Sequence, residues 1–221
     1  GSSRPVHLYR PVMAGPYPLV IVLDGQEYRR RGRLIDIVDN LIAQRRLRPL
    51  ALALLHHGGP ARGVEYACSE ATLGVLMEHV LPLARSELDL IDVEAQPGAY
   101  GVLGASMGGL MALYAGLRLP HLFGHVLSQS GAFTLGDFDT VVWDLVRHGP
   151  VRPLRIWMDV GRYETVTGAC TSCWSSGATR CVIRSTTPAT TTPLGGIGCL
   201  RLCCGCGVAV ATWTLGPEQA Q

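Results

Sequence analysis

The chain has 221 residues, of which 48% are hydrophobic, which is enough for one domain with a sizeable buried core. Its formal net charge of +2 gives no electrostatic reason to expect a nucleic acid or a membrane surface as a partner. No apolar run of membrane-spanning length and no signal peptide are visible, so the sequence predicts a cytoplasmic protein.

Short apolar segments alternate with amphipathic segments along the first 160 residues. Residues 5–10 alternate weakly and predict an edge strand, whereas the continuous apolar run 18–24 is typical of a strand buried on both faces. The other predicted strands are 50–56, 99–105, 124–129 and 154–160, and the predicted helices are 33–45, about 69–81, 107–118 and 139–147. This alternation with short connections predicts a parallel α/β sheet with right-handed crossovers.

The segment Gly104-Ala105-Ser106-Met107-Gly108 matches the pattern G-x-S-x-G and lies between a predicted strand and a predicted helix. In that setting the serine occupies a sharp, strained turn that places its Oγ above the sheet edge, and the flanking glycines permit close backbone approach. The N–H groups that open the following helix then face a developing oxyanion. The pattern predicts that Ser106 is a nucleophile; an ordinary structural turn is the alternative.

Five motifs occur in order within residues 18–164: LDGQEY at 23–28, EYACSE at 65–70, GASMGGLMALY at 104–114, FGHVLSQSG at 123–131 and DVGRYE at 159–164. Together they resemble the putative-esterase family of α/β-hydrolases, and most of all its enterochelin-esterase-like members. The resemblance implies a three-layer sandwich with a mostly parallel central sheet. It also implies hydrolysis of a small-molecule carboxylic ester through an acyl-enzyme, without a metal or another cofactor.

The resemblance also assigns the residues that support the nucleophile. It places the two oxyanion-hole N–H groups at Gln26 and Met107, with Gly25 letting the backbone turn into the site; a plain strand-ending turn at 25–26 is the alternative. The acid of the triad is expected at Glu164. Asp159, at the end of its strand, is the second candidate, although a carboxylate in that position more often holds a loop.

Candidate substrate contacts follow the predicted strands 18–24 and 50–56. Ligands of α/β proteins bind at the carboxyl ends of the strands, so the residues that leave these ends line the expected pocket. The candidates are Gly25, His57, Arg62 and Tyr66. For the last three, ordinary surface-loop roles are the alternative interpretation.

The composition changes near residue 165. Seven of the eight cysteines follow that point, and the charged residues beyond it are Arg180, Arg184, Arg201 and Glu218. In α/β-hydrolases the triad comes in the order serine, acid, histidine. No histidine follows His148 in the chain, so the expected general base is missing.

A shifted reading frame accounts for both observations. If the third base of each codon is grouped with the first two bases of the next, residues 188–197 permit Gly-His-Asn-Tyr-Pro-Ala-Trp-Arg-Asp, which resembles the histidine segment of the family. The hypothesis is that residues 1–164 form an incomplete esterase domain and that residues 165–221 are a frameshifted tail without regular structure. The activity of this chain is then impaired.

Other interpretations start from the same residues. Cys170, Cys173, Cys203, Cys204 and Cys206 form an irregular pattern that a genuine zinc-binding or disulfide-linked tail would also contain. A non-catalytic binding module on the hydrolase fold would keep the pocket and lack the chemistry, and an acyl transferase of the mycolyltransferase type is a further alternative. The sequence does not indicate an oligomeric state.

Overall fold

The computed structural model describes residues 4–136, 138–160 and 181–185, the last segment and Val160 through their backbone alone. The strands are β1 (Val6–Tyr9), β2 (Leu19–Val22), β3 (Ala51–Leu55), β4 (Tyr100–Ala105), β5 (Phe123–Gln129), β6 (Thr134–Leu135), β7 (Phe138–Asp139), β8 (Arg155–Val160) and β9 (Cys181–Ser185). The α-helices are α1 (Gly25–Arg30), α2 (Leu34–Ala43), α3 (Arg62–Glu65), α4 (Glu70–Val75), α5 (Leu81–Glu87), α6 (Met107–Arg118) and α7 (Val141–Arg147).

Within the described residues, seven strands form one sheet in the order β1-β3-β2-β4-β5-β8-β9. Strand β1 runs antiparallel to β3 at one edge, and the other neighbours in the sheet are parallel. Crossover helices connect the parallel strands from β2 to β8, as the alternation in the sequence predicts. The carboxyl ends of the parallel strands therefore meet along one edge of the sheet, where Ser106 lies after β4.

Helices cover both faces of the sheet, and β2 shows why its sequence is apolar throughout. Leu19 and Ile21 pack into the large core formed with α4 to α7, whereas Val20 and Val22 pack on the other face with Val38 of α2. All four residues of β2 are buried. A strand between two helical layers has no solvent-facing side, so it cannot alternate apolar and polar residues.

The face of the sheet on which α2 packs carries an apolar cavity of about 540 Å³. On the sheet it is lined by Leu103, Leu127 and Trp157 from β4, β5 and β8, and α2 forms its side wall. Among the described residues, α2 packs on this face together with Tyr28 of α1, and α2 covers mainly β2 and β3. Leu127 and Trp157 are half-buried, whereas Val126 and Ile156, which point to the other face, are fully buried.

The predicted helix that starts near Ser69 continues farther than expected. The Ser69 hydroxyl accepts a hydrogen bond from Thr72 N, and the helix then runs from Glu70 to Glu87 through a π-helical stretch at Leu76–Val80. The π-helical stretch lies directly before Pro82. Proline has no N–H to donate to the carbonyl four residues earlier, so the hydrogen-bond ladder changes register there instead of ending.

Four short elements differ from the sequence prediction. Helices α1 and α3 and the hairpin β6–β7 are too brief to show a period in the sequence. The expectation that the tail lacks regular structure is wrong for Cys181–Ser185, whose backbone pairs in parallel with β8. This segment contains valine and isoleucine, which favour strands, and β8 offers it unpaired backbone groups. The remaining tail residues lie outside the described residues.

No helix within the described residues combines the length and apolar character that a membrane span requires.

His125 on β5 makes the stability of the fold depend on pH. Burial, with Arg155 and Arg48 nearby, lowers the pKa of His125 from 6.5 to about 4. Between these two pH values the unfolded chain binds more protons than the folded one, so the free energy of unfolding falls as the pH drops through this window. We expect the urea midpoint of His125→Gln to change less between pH 7 and pH 5 than that of the unsubstituted chain. An equal change in both proteins would contradict this account of His125.

Candidate active site

Ser106 occupies the turn between β4 and α6 in a backbone conformation that non-glycine residues rarely adopt, with φ 55° and ψ −120°. Its N–H donates to Gln129 O at 2.8 Å, and its carbonyl accepts from Leu110 N and Ala132 N. These three bonds anchor the strained turn to the neighbouring strand, to the loop after that strand and to the first turn of α6. The Ser106 side chain is exposed at the carboxyl edge of the sheet, as a nucleophile requires.

The two glycines of the G-x-S-x-G pattern are needed because the backbone folds tightly onto itself. A Cβ atom at Gly104 would overlap the carbonyl group of Gly108. A Cβ atom at Gly108 would lie 3.1 Å from Asp24 Oδ2. A side chain is therefore excluded at Gly104, and at Gly108 it fits only if the Asp24 carboxylate shifts by a few tenths of an ångström.

Gln26 and Met107 lie at the starts of two helices that follow neighbouring strands. Helix α1 begins at Gly25 after β2, helix α6 begins at Met107 after β4, and β2 pairs with β4. The N–H groups in the first turn of a helix have no intrahelical acceptor and are available to an anion. This arrangement is the one an oxyanion hole needs, and the assignment of these two N–H groups stays a prediction.

Asp24 and Arg62 form a bidentate ion pair beneath the turn that carries Gln26. Arg62 Nε donates to Asp24 Oδ1 and Arg62 Nη2 to Asp24 Oδ2, each at 2.7 Å. Arg62 Nη2 also donates to Ala105 O at 3.3 Å. Hydrogen bonding to Asp24 raises the pKa of Arg62. The sequence prediction did not include Asp24, although the Asp-Gly pair at the end of β2 marks where the chain turns into the site.

Two of the predicted substrate contacts lie beneath the cleft. Tyr66 is 1% exposed, and its hydroxyl accepts a hydrogen bond from Asp24 N at 3.2 Å. Gly25 is buried, and a Cβ atom there would overlap the backbone of Leu54. The structure therefore places these two residues in the support of the turn and not in the lining of the cleft, and their role as substrate contacts stays a prediction.

Ser106 opens into a cleft of about 460 Å³. The residues that line it are Asp24, Glu27, Tyr28, Arg31, Gly32, His57, Arg62, Ala105, Ser106 and Gln129. His57 and Arg62 thus share the cleft with Ser106, as the sequence predicts. The sequence prediction missed Tyr28, whose hydroxyl donates to Gln129 Oε1. Burial, with Asp24 and Asp159 behind it, raises the pKa of Tyr28, so this hydroxyl remains a donor.

The hydrogen bonds of His57 determine which of its two ring nitrogens carries the hydrogen in the neutral form. Gly59 N donates to His57 Nδ1 at 2.9 Å, which leaves the hydrogen of the neutral ring on Nε2. The His57 N–H in turn donates to Gln26 Oε1 at 3.3 Å. In this tautomer Nε2 carries a hydrogen, so it donates a hydrogen bond and does not accept a proton. His57 therefore suits a substrate contact better than a general base.

Of the two candidates for the acid of the triad, the structure describes Asp159 and not Glu164. Asp159 Oδ1 accepts a hydrogen bond from Ser130 N at 3.1 Å, and the Asp159 carbonyl accepts from the same N–H at 3.0 Å. Asp159 thus holds the loop after β5, in agreement with its loop-holding interpretation. Glu164 lies outside the described residues, and its role as the acid stays a prediction.

Comparisons with known proteins agree on one family. The chain is 34% identical over 163 residues to the iron(III) enterobactin esterase of Dickeya dadantii, in an alignment that covers 66% of this chain and 37% of that protein. The crystal structure of the ferric enterobactin esterase from Salmonella typhimurium matches with a TM-score of 0.72 and 30% identity, over 78% of this chain and 45% of that one. The enterobactin esterase from Shigella flexneri, in the presence of enterobactin, matches with a TM-score of 0.71 and 27% identity, over 78% and 45%.

These likenesses confirm the predicted α/β-hydrolase fold. The chain spans less than half the length of these relatives. The family described as Putative esterase matches residues 1–174, which include every described residue of the cleft. The chain therefore belongs to the Putative esterase family.

Proposed function

We propose that this chain derives from a serine carboxylic-ester hydrolase with Ser106 as its nucleophile, and that its own catalysis is impaired because the triad histidine is absent. The observation that carries the proposal is the exposed Ser106 on a strained turn at the carboxyl edge of the sheet, between two helix N-termini. A protein that needed only a fold would have no reason to hold a serine in this conformation.

The chemistry follows from the arrangement of the cleft. Ser106 Oγ attacks the ester carbonyl, and the carbonyl oxygen becomes an oxyanion that the N–H groups of Gln26 and Met107 stabilise. The alcohol leaves, an acyl group remains on Ser106, and water then releases the acid. The Oγ proton must go to a base during the attack, and the chain offers no histidine beyond His148 for this task. This step is the one that we expect to be slow.

The substrate class comes from the relatives. The relatives named above are enterobactin esterases, so we propose a small-molecule ester and take enterobactin as the first natural substrate to test. The hypothesis of a shifted frame near residue 165 fits the end of the family match at residue 174. The cytoplasmic location remains a prediction.

Replacing Ser106 by cysteine tests the nucleophile without requiring a base. A thiol at a helix N-terminus has a lowered pKa and reacts as the thiolate. We expect the Ser106→Cys protein to gain one butyryl group from p-nitrophenyl butyrate as a thioester, located by mass spectrometry on the peptide that contains residue 106. The unsubstituted chain, incubated in the same way, shows the background from its native cysteines.

Ser130→Cys is the matched control. Ser130 also has a positive φ, 45°, and also follows a strand at the same edge of the sheet. Its N–H is committed to Asp159, and it does not begin a helix. If the cysteine at 106 were acylated no faster than the cysteine at 130, the nucleophile assignment would be wrong. The alternative of a non-catalytic binding module, which the missing histidine favours, would then be preferred.

A further inference from the structure

One guanidinium group joins the two turns that carry the predicted oxyanion N–H groups. Arg62 binds both carboxylate oxygens of Asp24, which immediately precedes Gly25 and Gln26. The same Nη2 atom donates to the carbonyl of Ala105, the residue before Ser106. A side chain that belongs to neither turn thus bridges the β2 turn and the β4 turn, in addition to the bond from Leu23 N to Leu103 O at 2.9 Å.

The β2 turn needs this external support. Asp24 lies in the left-handed region, with φ 55° and ψ 38°, and its side chain makes no capping bond to α1. A non-glycine residue in this conformation costs about 1 kcal/mol or more. The Asp24 carboxylate is also buried, at 5% exposure of the residue, and a buried carboxylate without a cationic partner is strongly destabilising. Arg62 supplies that partner, and the Tyr66 hydroxyl accepts the Asp24 N–H.

Arg62 is itself held in place. Its guanidinium lies over the ring of Tyr66, 5.3 Å from the ring centroid. Glu65, on the same short helix, accepts a hydrogen bond from Gly58 N at 3.1 Å and pairs with Arg4. Thr72 Oγ1 donates to the Glu65 carbonyl at 2.6 Å. The segment that presents Arg62 is thus anchored to β3, to β1 through Arg4, and to α4.

We propose that Arg62 is a positioning residue that sets the relative placement of the N–H groups of Gln26 and Met107, and that it does not act as a substrate contact. Nε and Nη2 direct three of the five N–H donors of Arg62 to both carboxylate oxygens of Asp24 and to the carbonyl of Ala105, so its hydrogen bonds go to the two turns that form the site. This inference rests on the proposed esterase function, and it replaces the substrate role predicted for Arg62 from the sequence.

The test compares Arg62→Met and Arg62→Lys with Arg118→Met. Arg118 is a matched control because it also pairs with a carboxylate, Glu70, at 2.9 Å and also lies over a tyrosine ring, that of Tyr114. Amide hydrogen exchange is measured by mass spectrometry on the segments 20–30 and 103–110. The residual hydrolysis of p-nitrophenyl butyrate is measured as kcat and KM, per folded molecule.

We expect Arg62→Met to speed exchange in both segments and to lower kcat about 10- to 100-fold, with KM changed by less than about twofold, since one oxyanion donor contributes about 10²- to 10³-fold. Arg62→Lys should fall between the unsubstituted chain and Arg62→Met. An ammonium keeps the positive charge but cannot make the two parallel hydrogen bonds of a planar guanidinium. Arg118→Met should leave both segments and kcat unchanged. If Arg62→Met does not fold, the comparison of Arg62→Lys with Arg118→Met carries the same test.

Three results would overturn the proposal. Unchanged exchange in both segments would show that Arg62 does not hold the turns. A raised KM with kcat unchanged would show a substrate contact, and a lowered kcat with unchanged exchange would show direct participation in the reaction. If the unsubstituted chain showed no hydrolysis above buffer, the exchange measurements would still decide whether Arg62 joins the two turns, and the acylation of Ser106→Cys would decide the proposed function.

Discussion

A version of this chain translated in the alternative frame after residue 165 should hydrolyse p-nitrophenyl butyrate at least about 10⁴-fold faster than the chain itself. A triad that lacks its histidine keeps only the contribution of the oxyanion hole and binding, which is about 10³- to 10⁴-fold over water, and loses most of the rest. The measurement is kcat for both proteins under the same conditions. The nucleotide sequence from codon 160 to the stop codon shows beforehand whether the frame encodes the Gly-His segment.

Ser106→Ala provides the control for this experiment in both proteins. Members of a triad act as a unit, so removing a second member after the first has little further effect. We therefore expect Ser106→Ala to change the residual rate of the present chain by less than about tenfold and to remove nearly all of the gain in the restored one. Equal rates for the present and restored chains would contradict the frameshift hypothesis and make the seven cysteines of the tail a genuine feature to explain.

Gly104→Ala should destabilise the fold by about 3 kcal/mol or more and remove the remaining activity. A methyl group at this position overlaps the backbone carbonyl of Gly108. Because the obstacle is backbone and not a flexible side chain, β4 and α6 must move apart to admit the methyl group. Such a movement also displaces Ser106 and Met107, which lie between the two glycines. The free energy of unfolding in urea and the residual kcat measure the two effects.

Gly74→Ala is the matched control for this substitution. Gly74 lies within helix α4, and a Cβ atom there meets nothing within 4 Å. Alanine is favoured over glycine inside a helix by up to about 1 kcal/mol, so this variant should be as stable as the unsubstituted chain or more stable. If both variants were destabilised equally, the close contact between Gly104 and Gly108 would not be the cause.

Elements whose sequence reflects burial on both faces were predictable. Strand β2 and strand β3 are apolar throughout because each lies between two layers, and α6 follows directly from the G-x-S-x-G pattern, which determines where the strand ends and the helix begins. The position of Ser106 was predictable because the residues of the G-x-S-x-G pattern are its immediate neighbours in the sequence. The predicted placement of His57 and Arg62 in the cleft followed from the common edge at which parallel strands end.

The partners of these residues were not predictable from local pattern. Arg62 and Asp24 are 38 residues apart in the sequence. Nothing near Arg62 in the sequence indicates that its guanidinium binds a carboxylate at the end of β2. Tyr66 resembles a surface tyrosine in the sequence, and its burial depends on how α3 packs against the β2 turn. Ion pairs and burial between distant segments come from tertiary packing, which neither periodicity nor spacing can show.

The apolar cavity beside α2 bears on what becomes of this protein in a cell. Leu127 and Trp157 are half-buried and, together with the buried Leu103, line an apolar cavity that α2 does not fill within the described part of the chain. Surfaces of this kind are those that chaperones retain and proteases act on, and modest losses of stability lower the abundance of a protein several-fold. If the tail was never selected to cover this surface, the frameshift would be seen first as a shortage of protein, before any loss of catalytic rate became measurable.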